Sequence, residues 1–269
     1  MSGQAGEALR IQGVTKRFGG ITAVHAVSFA IPAQSIVAVI GPNGAGKTTL
    51  FNLISGFHHP DEGRVFFDGR DLTKLKPEQI ASAGVVRTFQ LVHLFAHKTA
   101  LENVLVGFHL RTRGGLSAAV FGSHSIREQE AAIRNEAEEL LAMVSCAGVS
   151  QSPAGRLTCG QQRLVEIARA LATRPKLLML DEPAAGLNAR ETSELRTLIR
   201  RIREQGITVL LVEHDMDLVM SVADHIHVLN FGHHIASGTP KEIQVDPAVI
   251  EAYLGGSTRR PKGGLCADA

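Results

Sequence analysis

Runs of apolar residues separated by short polar turns dominate this chain. Ser35-Ile36-Val37-Ala38-Val39-Ile40 and Leu177-Leu178-Met179-Leu180 are almost unbroken apolar stretches, the pattern of strands buried on both faces. Ile207 to Val212 has the same character and follows a helical segment from Glu191 to Glu204, so βαβ units of a largely parallel sheet are predicted. The N-terminal pattern differs. Leu9 to Val14 alternates loosely and Val27 to Ile31 follows a glycine-containing turn, which predicts a small antiparallel sheet. Lys47 to Ser55 reads as a helix directly behind the Ser35–Ile40 strand, and His225 to Phe231 and His234 to Ala236 read as late strands.

Between Thr99 and Ala172 the period changes to that of helices. Ile133, Ala137, Leu140, Leu141 and Val144 share one face, with Glu136, Glu138 and Glu139 free to meet solvent. Breaks are expected at Arg113-Gly114-Gly115 and at Gly122-Ser123-His124-Ser125. The glycine-rich polar end, residues 257–269, reads as a flexible tail.

Composition narrows the class. With 269 residues, 44% of them hydrophobic, the chain can bury a substantial core. Lys+Arg 28 against Asp+Glu 26 gives a net charge of only +2, which does not support a broad nucleic-acid surface. No apolar stretch approaches the roughly 20 residues of a spanning helix, and Met1 to Arg10 lacks a signal core, so a cytoplasmic location is expected. Cys146, Cys159 and Cys266 have neither metal-ligand spacing nor the look of a disulfide framework.

The chemistry begins at Gly41-Pro42-Asn43-Gly44-Ala45-Gly46-Lys47-Thr48-Thr49. This segment fits G-x-x-x-x-G-K-[ST] and lies between a predicted strand and a predicted helix. Gly41, Gly44 and Gly46 let backbone amides approach phosphate oxygens. Lys47 supplies charge to the β- and γ-phosphates of a nucleoside triphosphate, the Thr48 hydroxyl is placed to ligate Mg²⁺, and Thr49 adds a helix-start amide. A structural glycine turn is the alternative, and the strand and helix on either side argue against it. Asp181 and Glu182 end an apolar strand: Asp181 can hold Mg²⁺, and Glu182 can accept a proton from an attacking water. Leu157-Thr158-Cys159-Gly160-Gln161 precedes a helix, where the Thr158 hydroxyl and the Gly160 amide can meet a phosphate. Taken alone it would be a common helix cap.

In this order the segments resemble the ATP-binding subunit of an ABC transporter, from Leu9 to Leu254. Arg87-Thr88-Phe89-Gln90, Gly160 to Arg169, Asp181 to Asn188 and Glu213-His214-Asp215-Met216 look like one branch, the ATPases of branched-chain amino acid importers. The resemblance implies an α/β P-loop NTPase cassette spanning 1–269, with a RecA-like core (1–88 and 175–256), a small antiparallel β subdomain and a helical subdomain (89–174). It implies that Phe18 stacks on adenine, a strand-end core phenylalanine being the alternative. It implies that Gln90 serves catalysis and metal binding while linking the site to the helical lobe, and that His214 contacts the γ-phosphate. Thr158, Cys159, Gly160 and Gln161 would contact ATP held by a second ATPase subunit. Two permease subunits and, indirectly, a solute-binding protein are the implied partners, with the chain peripheral on the inner face of the membrane and no nucleic acid involved.

Thr158 and Cys159 stand where the general family signature has serine and glycine, and Asn188 where many members have aspartate. Threonine keeps the hydroxyl; asparagine keeps polarity and loses charge. The competing function is a soluble ABC ATPase acting on ribosomes or DNA. A single motif set and no coiled-coil insertion between Lys47 and Leu157 weigh against it.

Overall fold

A computed structural model of the chain describes residues 6–88, 93–110 and 123–254. Gln90, the expected break at Arg113 to Gly115 and the 257–269 tail lie outside the described residues.

The chain opens with β1 (Glu7–Phe18) and β2 (Ile21–Pro32), which pair antiparallel. Both outrun their predicted cores because register shifts around Ile11, Val14 and Lys16 break the two-residue alternation that marks a strand. β3 (Ile36–Ile40) leads into α1 (Lys47–Ile54). β4 (Glu62–Phe67) and β5 (Arg70–Asp71) return to the first sheet, giving the order β2-β1-β4-β5. α2 (Pro77–Ser82) and β6 (Val85–Arg87) precede the helical lobe of α3 (Ala100–Gly107), α4 (Ser123–Met143) and α5 (Cys159–Ala172). α4 already includes Ser123-His124-Ser125, so those residues begin a helix where a break was expected.

The chain then alternates: β7 (Leu177–Asp181), α6 (Ala189–Glu204), β8 (Thr208–Val212), α7 (Met216–Val222), β9 (His225–Asn230) and β10 (His233–Gly238). Two short helices, α8 (Pro240–Val245) and α9 (Pro247–Leu254), close it. The second sheet runs β10-β9-β3-β8-β7-β6, parallel except for β10.

Every residue of β3, β7 and β8 is buried, and alternation along each strand divides them between two cores. Val37, Val39, Leu177, Met179, Leu210 and Val212 face α1 and the antiparallel sheet. Ile36, Ala38, Ile40, Leu178, Leu180, Val209 and Leu211 belong to the core packed with α3, α5, α6 and α7. Each fully buried side chain of this kind contributes about 1.5–3 kcal/mol of apolar transfer. The parallel sheet is therefore the middle layer, and the loops at its strand ends are held from both sides.

One buried polar group makes stability depend on pH. His227 of β9 stacks on Phe29 of β2, ring centroids 4.1 Å apart, and its Nδ1 lies 3.2 Å from Nε2 of His234. Burial, reinforced by His234 and His225, pushes the His227 imidazole down to about 3. The folded chain thus keeps His227 neutral, whereas the unfolded chain protonates it near pH 6.5. Stability from this group is present above that pH and is lost as pH falls from about 6.5 toward 3, at up to about 1.4 kcal/mol per pH unit. Lowering pH from 7.5 to 5 is expected to lower the unfolding temperature, and less so in His227→Phe. Equal pH dependence in the two proteins would contradict this assignment.

Candidate active site

Apolar β3 ends where the chain must turn sharply beneath a helix start. Gly41 has φ 152°, and a Cβ there would overlap the Leu229 carbonyl of β9, so only glycine lets the loop lie this close to the sheet. The loop wraps around to α1, whose first residue is Lys47. Lys47 is buried, its Nζ donating to the carbonyls of Gly41 at 2.7 Å and Pro42 at 3.0 Å. Burial pushes its pKa down, while Glu182 and Asp181 pull it back up. The ammonium is thus held in place by the carbonyls of the glycine-rich loop.

A cleft of about 380 Å³ opens above this loop, lined by Asn43 to Thr49, Glu182 and His214, with Ile21, Thr22, Ala23 and Phe231 on the remaining wall. Glu182 and His214 reach it from the ends of neighbouring parallel strands, β7 and β8. Glu182 Oε1 lies 2.9 Å from His214 Nε2. With an ionised Glu182, Nε2 carries the proton and donates it. This contact fixes one carboxylate oxygen of Glu182 against the ring. Glu182 has φ 48°, a left-handed backbone costing about 1–3 kcal/mol for a non-glycine residue. Its N–H donates to the Val212 carbonyl at 2.8 Å.

Asp181, the last residue of β7, is 3% exposed and is not on the cleft wall. Arg87 Nη2 donates to its Oδ2 at 2.6 Å, and Arg87 Nη1 donates to Asn52 Oδ1 at 2.6 Å and Ser55 Oγ at 3.2 Å. One guanidinium therefore joins β6, β7 and α1 beneath the phosphate loop. The Thr48 hydroxyl and the Asp181 carboxylate are hard oxygen donors that suit Mg²⁺, which takes few protein ligands and completes its shell with phosphate and water. Among the described residues no three acidic, histidine or cysteine side chains form a cage of their own.

Other predicted residues lie elsewhere. Phe18 stands at the end of β1, 43% exposed, edge-on to His58 at 5.3 Å and under Lys16 Nζ; it is not among the cleft-lining residues. Exposed Ile21 and Phe231 occupy that wall instead. Thr158 to Gln161 sit on the helical lobe, outside the cleft. Thr158 caps α5: its Oγ1 accepts from Gln161 N–H at 3.2 Å, and Gln161 Oε1 accepts from Thr158 N–H at 3.1 Å. The cap uses the hydroxyl as an acceptor only. Gly160 faces α6, where a Cβ would lie 2.5 Å from Glu191 Oε1. Asn188 caps α6, its Oδ1 accepting from Arg190 and Glu191 N–H, both at 3.0 Å, the task an aspartate would perform here. Arg169 of α5 donates to the His93 carbonyl at 2.6 Å, tying that helix to the segment after Gln90. Sequence reasoning reads Phe231 only as the end of a strand and Arg87 only as part of the Arg87-Thr88-Phe89-Gln90 motif, with no ion pair expected. Arg87 lacked a signal because its partners Asn52 and Asp181 are distant in sequence; Phe231-Gly232 did offer one, a turn following a strand.

Arg87→Met would leave Asp181 buried without its cation, and breaking such a pair costs about 3–5 kcal/mol. Urea denaturation should show that loss, with partial recovery in Arg87→Met combined with Asp181→Asn. An unchanged midpoint in the single variant would exclude a structural ion pair.

Residues 24–185 match the family described as ABC transporter, and residues 233–258 match the branched-chain amino acid ATP-binding cassette transporter family. The high-affinity branched-chain amino acid transport ATP-binding protein BraF of Pseudomonas aeruginosa is 48% identical over 248 residues, covering 92% of this chain and 97% of that protein. LivG of Escherichia coli K12, which bears the same description, is 45% identical over the same shares of the two chains. Among solved structures, a nucleotide-free ATP-binding cassette from an ABC transporter superposes with TM-score 0.80 at 35% identity, covering 92% of this chain and 99% of that one. An ABC transporter cassette in its ADP conformation gives TM-score 0.81, also at 35% identity, covering 93% and 99%.

Proposed function

The chain belongs to the ABC transporter family as an ATP-binding ATPase subunit, and from that premise we propose that it powers import of branched-chain amino acids. Support for this substrate class comes from the identity to BraF and LivG and from the match at residues 233–258. No described helix is long and apolar enough to cross a membrane. By likeness to these transport ATP-binding proteins, the proposed partners are two permease subunits that hold the chain at the inner membrane face, a second ATPase subunit and, indirectly, a solute-binding protein.

The observation that carries the mechanism is the 2.9 Å contact between Glu182 and His214 at the mouth of the phosphate-loop cleft. In the proposed reaction, the backbone N–H groups of Asn43 to Thr49 and the Lys47 ammonium hold the triphosphate. Thr48, Asp181 and Gln90 would hold Mg²⁺, which neutralises charge developing on the phosphates. Glu182, steadied by His214, takes the proton of the water that attacks the γ-phosphorus, and ADP and phosphate leave. In the nucleotide-bound subunit His214, on the cleft wall, would contact the γ-phosphate. Phe18 would meet the adenine, and Thr158 to Gln161 would meet ATP on the opposing subunit. Closure of two subunits around ATP and reopening after hydrolysis would reach the permeases through the segment from Arg87 to Lys98. Nucleotide biases that equilibrium only to the extent that it binds the closed state more tightly.

Glu182→Gln is expected to bind ATP but to turn over roughly 10²–10⁴-fold more slowly. Lys47→Ala should instead weaken nucleotide binding, read by titration with a fluorescent ATP analogue. ATPase activity reconstituted with the permeases should rise when leucine-, isoleucine- or valine-loaded binding protein is added. Stimulation by ribosomes or DNA, with indifference to permeases, would refute the transport reading.

A further inference from the structure

Glu213 lies between β8 and His214, with its side chain 4% exposed, and among the described residues it has no ion-pair partner. Three backbone amides surround the carboxylate instead. Oε1 accepts from Ala184 N–H at 2.6 Å, and Oε2 accepts from His214 N–H at 2.9 Å and Asp215 N–H at 3.3 Å. Burial pushes this carboxyl above its usual range, and the amides of Ala184, Asp215 and His214 draw it back. A charge is seldom buried without a partner, so its place here calls for a reason.

The donors come from two separate turns. Ala184 follows Glu182 in the turn after β7; His214 and Asp215 form the turn after β8. Glu182 itself is left-handed, with its N–H on the Val212 carbonyl. Its backbone is therefore pinned on one side by β8 and, two residues later, by Glu213. Only an acceptor-only group with two oxygens can serve both turns at once. Glutamine has the same shape but one acceptor, and its NH₂ would confront an N–H.

We propose that Glu213 is a positioning residue for ATP hydrolysis: its carboxylate joins the turn bearing Glu182 to the turn bearing His214 and thereby sets their contact. The proposal rests on the reading of Glu182 as proton acceptor. It concerns geometry rather than contact with nucleotide, so its signature is a loss of turnover without a loss of binding.

The test uses the full chain, with ATPase rates, mant-ATP affinity and thermal unfolding measured for Glu213→Gln, Glu182→Gln and the double variant. Glu213→Gln should bind nucleotide within about twofold of the parent and turn over about 10–100-fold more slowly, the scale of a small misplacement of reacting groups. The double variant should be no slower than Glu182→Gln alone, because residues acting as one unit do not add. Parental turnover in Glu213→Gln overturns the proposal, as do losses that multiply in the double variant. If Glu213→Gln melts below the assay temperature, Glu213→Asp, which keeps the charge but draws it back one methylene, is judged by the same criteria. Normal turnover in Glu182→Gln would defeat the reading of Glu182. Glu213 would then be decided by Glu213→Gln and by its additivity with His214→Ala.

Discussion

The register between β7 and β8 places Asp181 beside Val212, and the polar corner of the cleft is built from that alignment. The two strands end level, so the residues that follow them, Glu182 on one side and Glu213 and His214 on the other, emerge at the same height. A slip of one residue would turn each side chain to the opposite face of the sheet. What prevents the slip is the burial of both faces, since Leu178 and Leu180 pack toward the helices while Leu177 and Met179 pack toward α1. The core sets the geometry of the site before any polar contact acts on it.

The polar contacts then refine what the core has set. Arg87 spans from the edge strand to α1, and Asp181 is its anchor. Lys47 is held by the carbonyls of the loop it serves. Lys47 is thus positioned by groups other than the phosphates it would meet, and the cleft has its charge in place in the chain itself. Preorganisation of this sort lowers the cost of reorganising when charge develops.

Much of this was legible in the sequence, and the limits have physical causes. β3, β7 and β8 are apolar on both faces, so their unbroken apolar runs mark them as buried strands. The phosphate loop was legible because its glycines, lysine and threonine are adjacent in sequence. β1 was read only in part because its bulges disturb alternation. β4 was not read, since the three exposed residues at its start, Glu62, Gly63 and Arg64, hide the two inward positions, Val65 and Phe67. Arg87 and Glu213 were beyond reach for another reason. Their function lies in partners 94 and 29 residues away, and no local pattern encodes that proximity. Phe18 shows the converse limit: a position can match a family pattern while its ring rests on His58 in the chain alone.

Gly160 and Glu191 bear on how the proposed pair of ATPase subunits would come together. Within one chain, the carboxylate of Glu191 already lies over the start of α5 and closes the cap of α6 by accepting from Asn188 N–H at 3.0 Å. Two helix starts on different lobes are thus braced against each other within the single chain. Partners that meet through surfaces already in their final shape lose less conformational entropy on association. Their encounter is then governed more by diffusion and orientation than by folding at the interface.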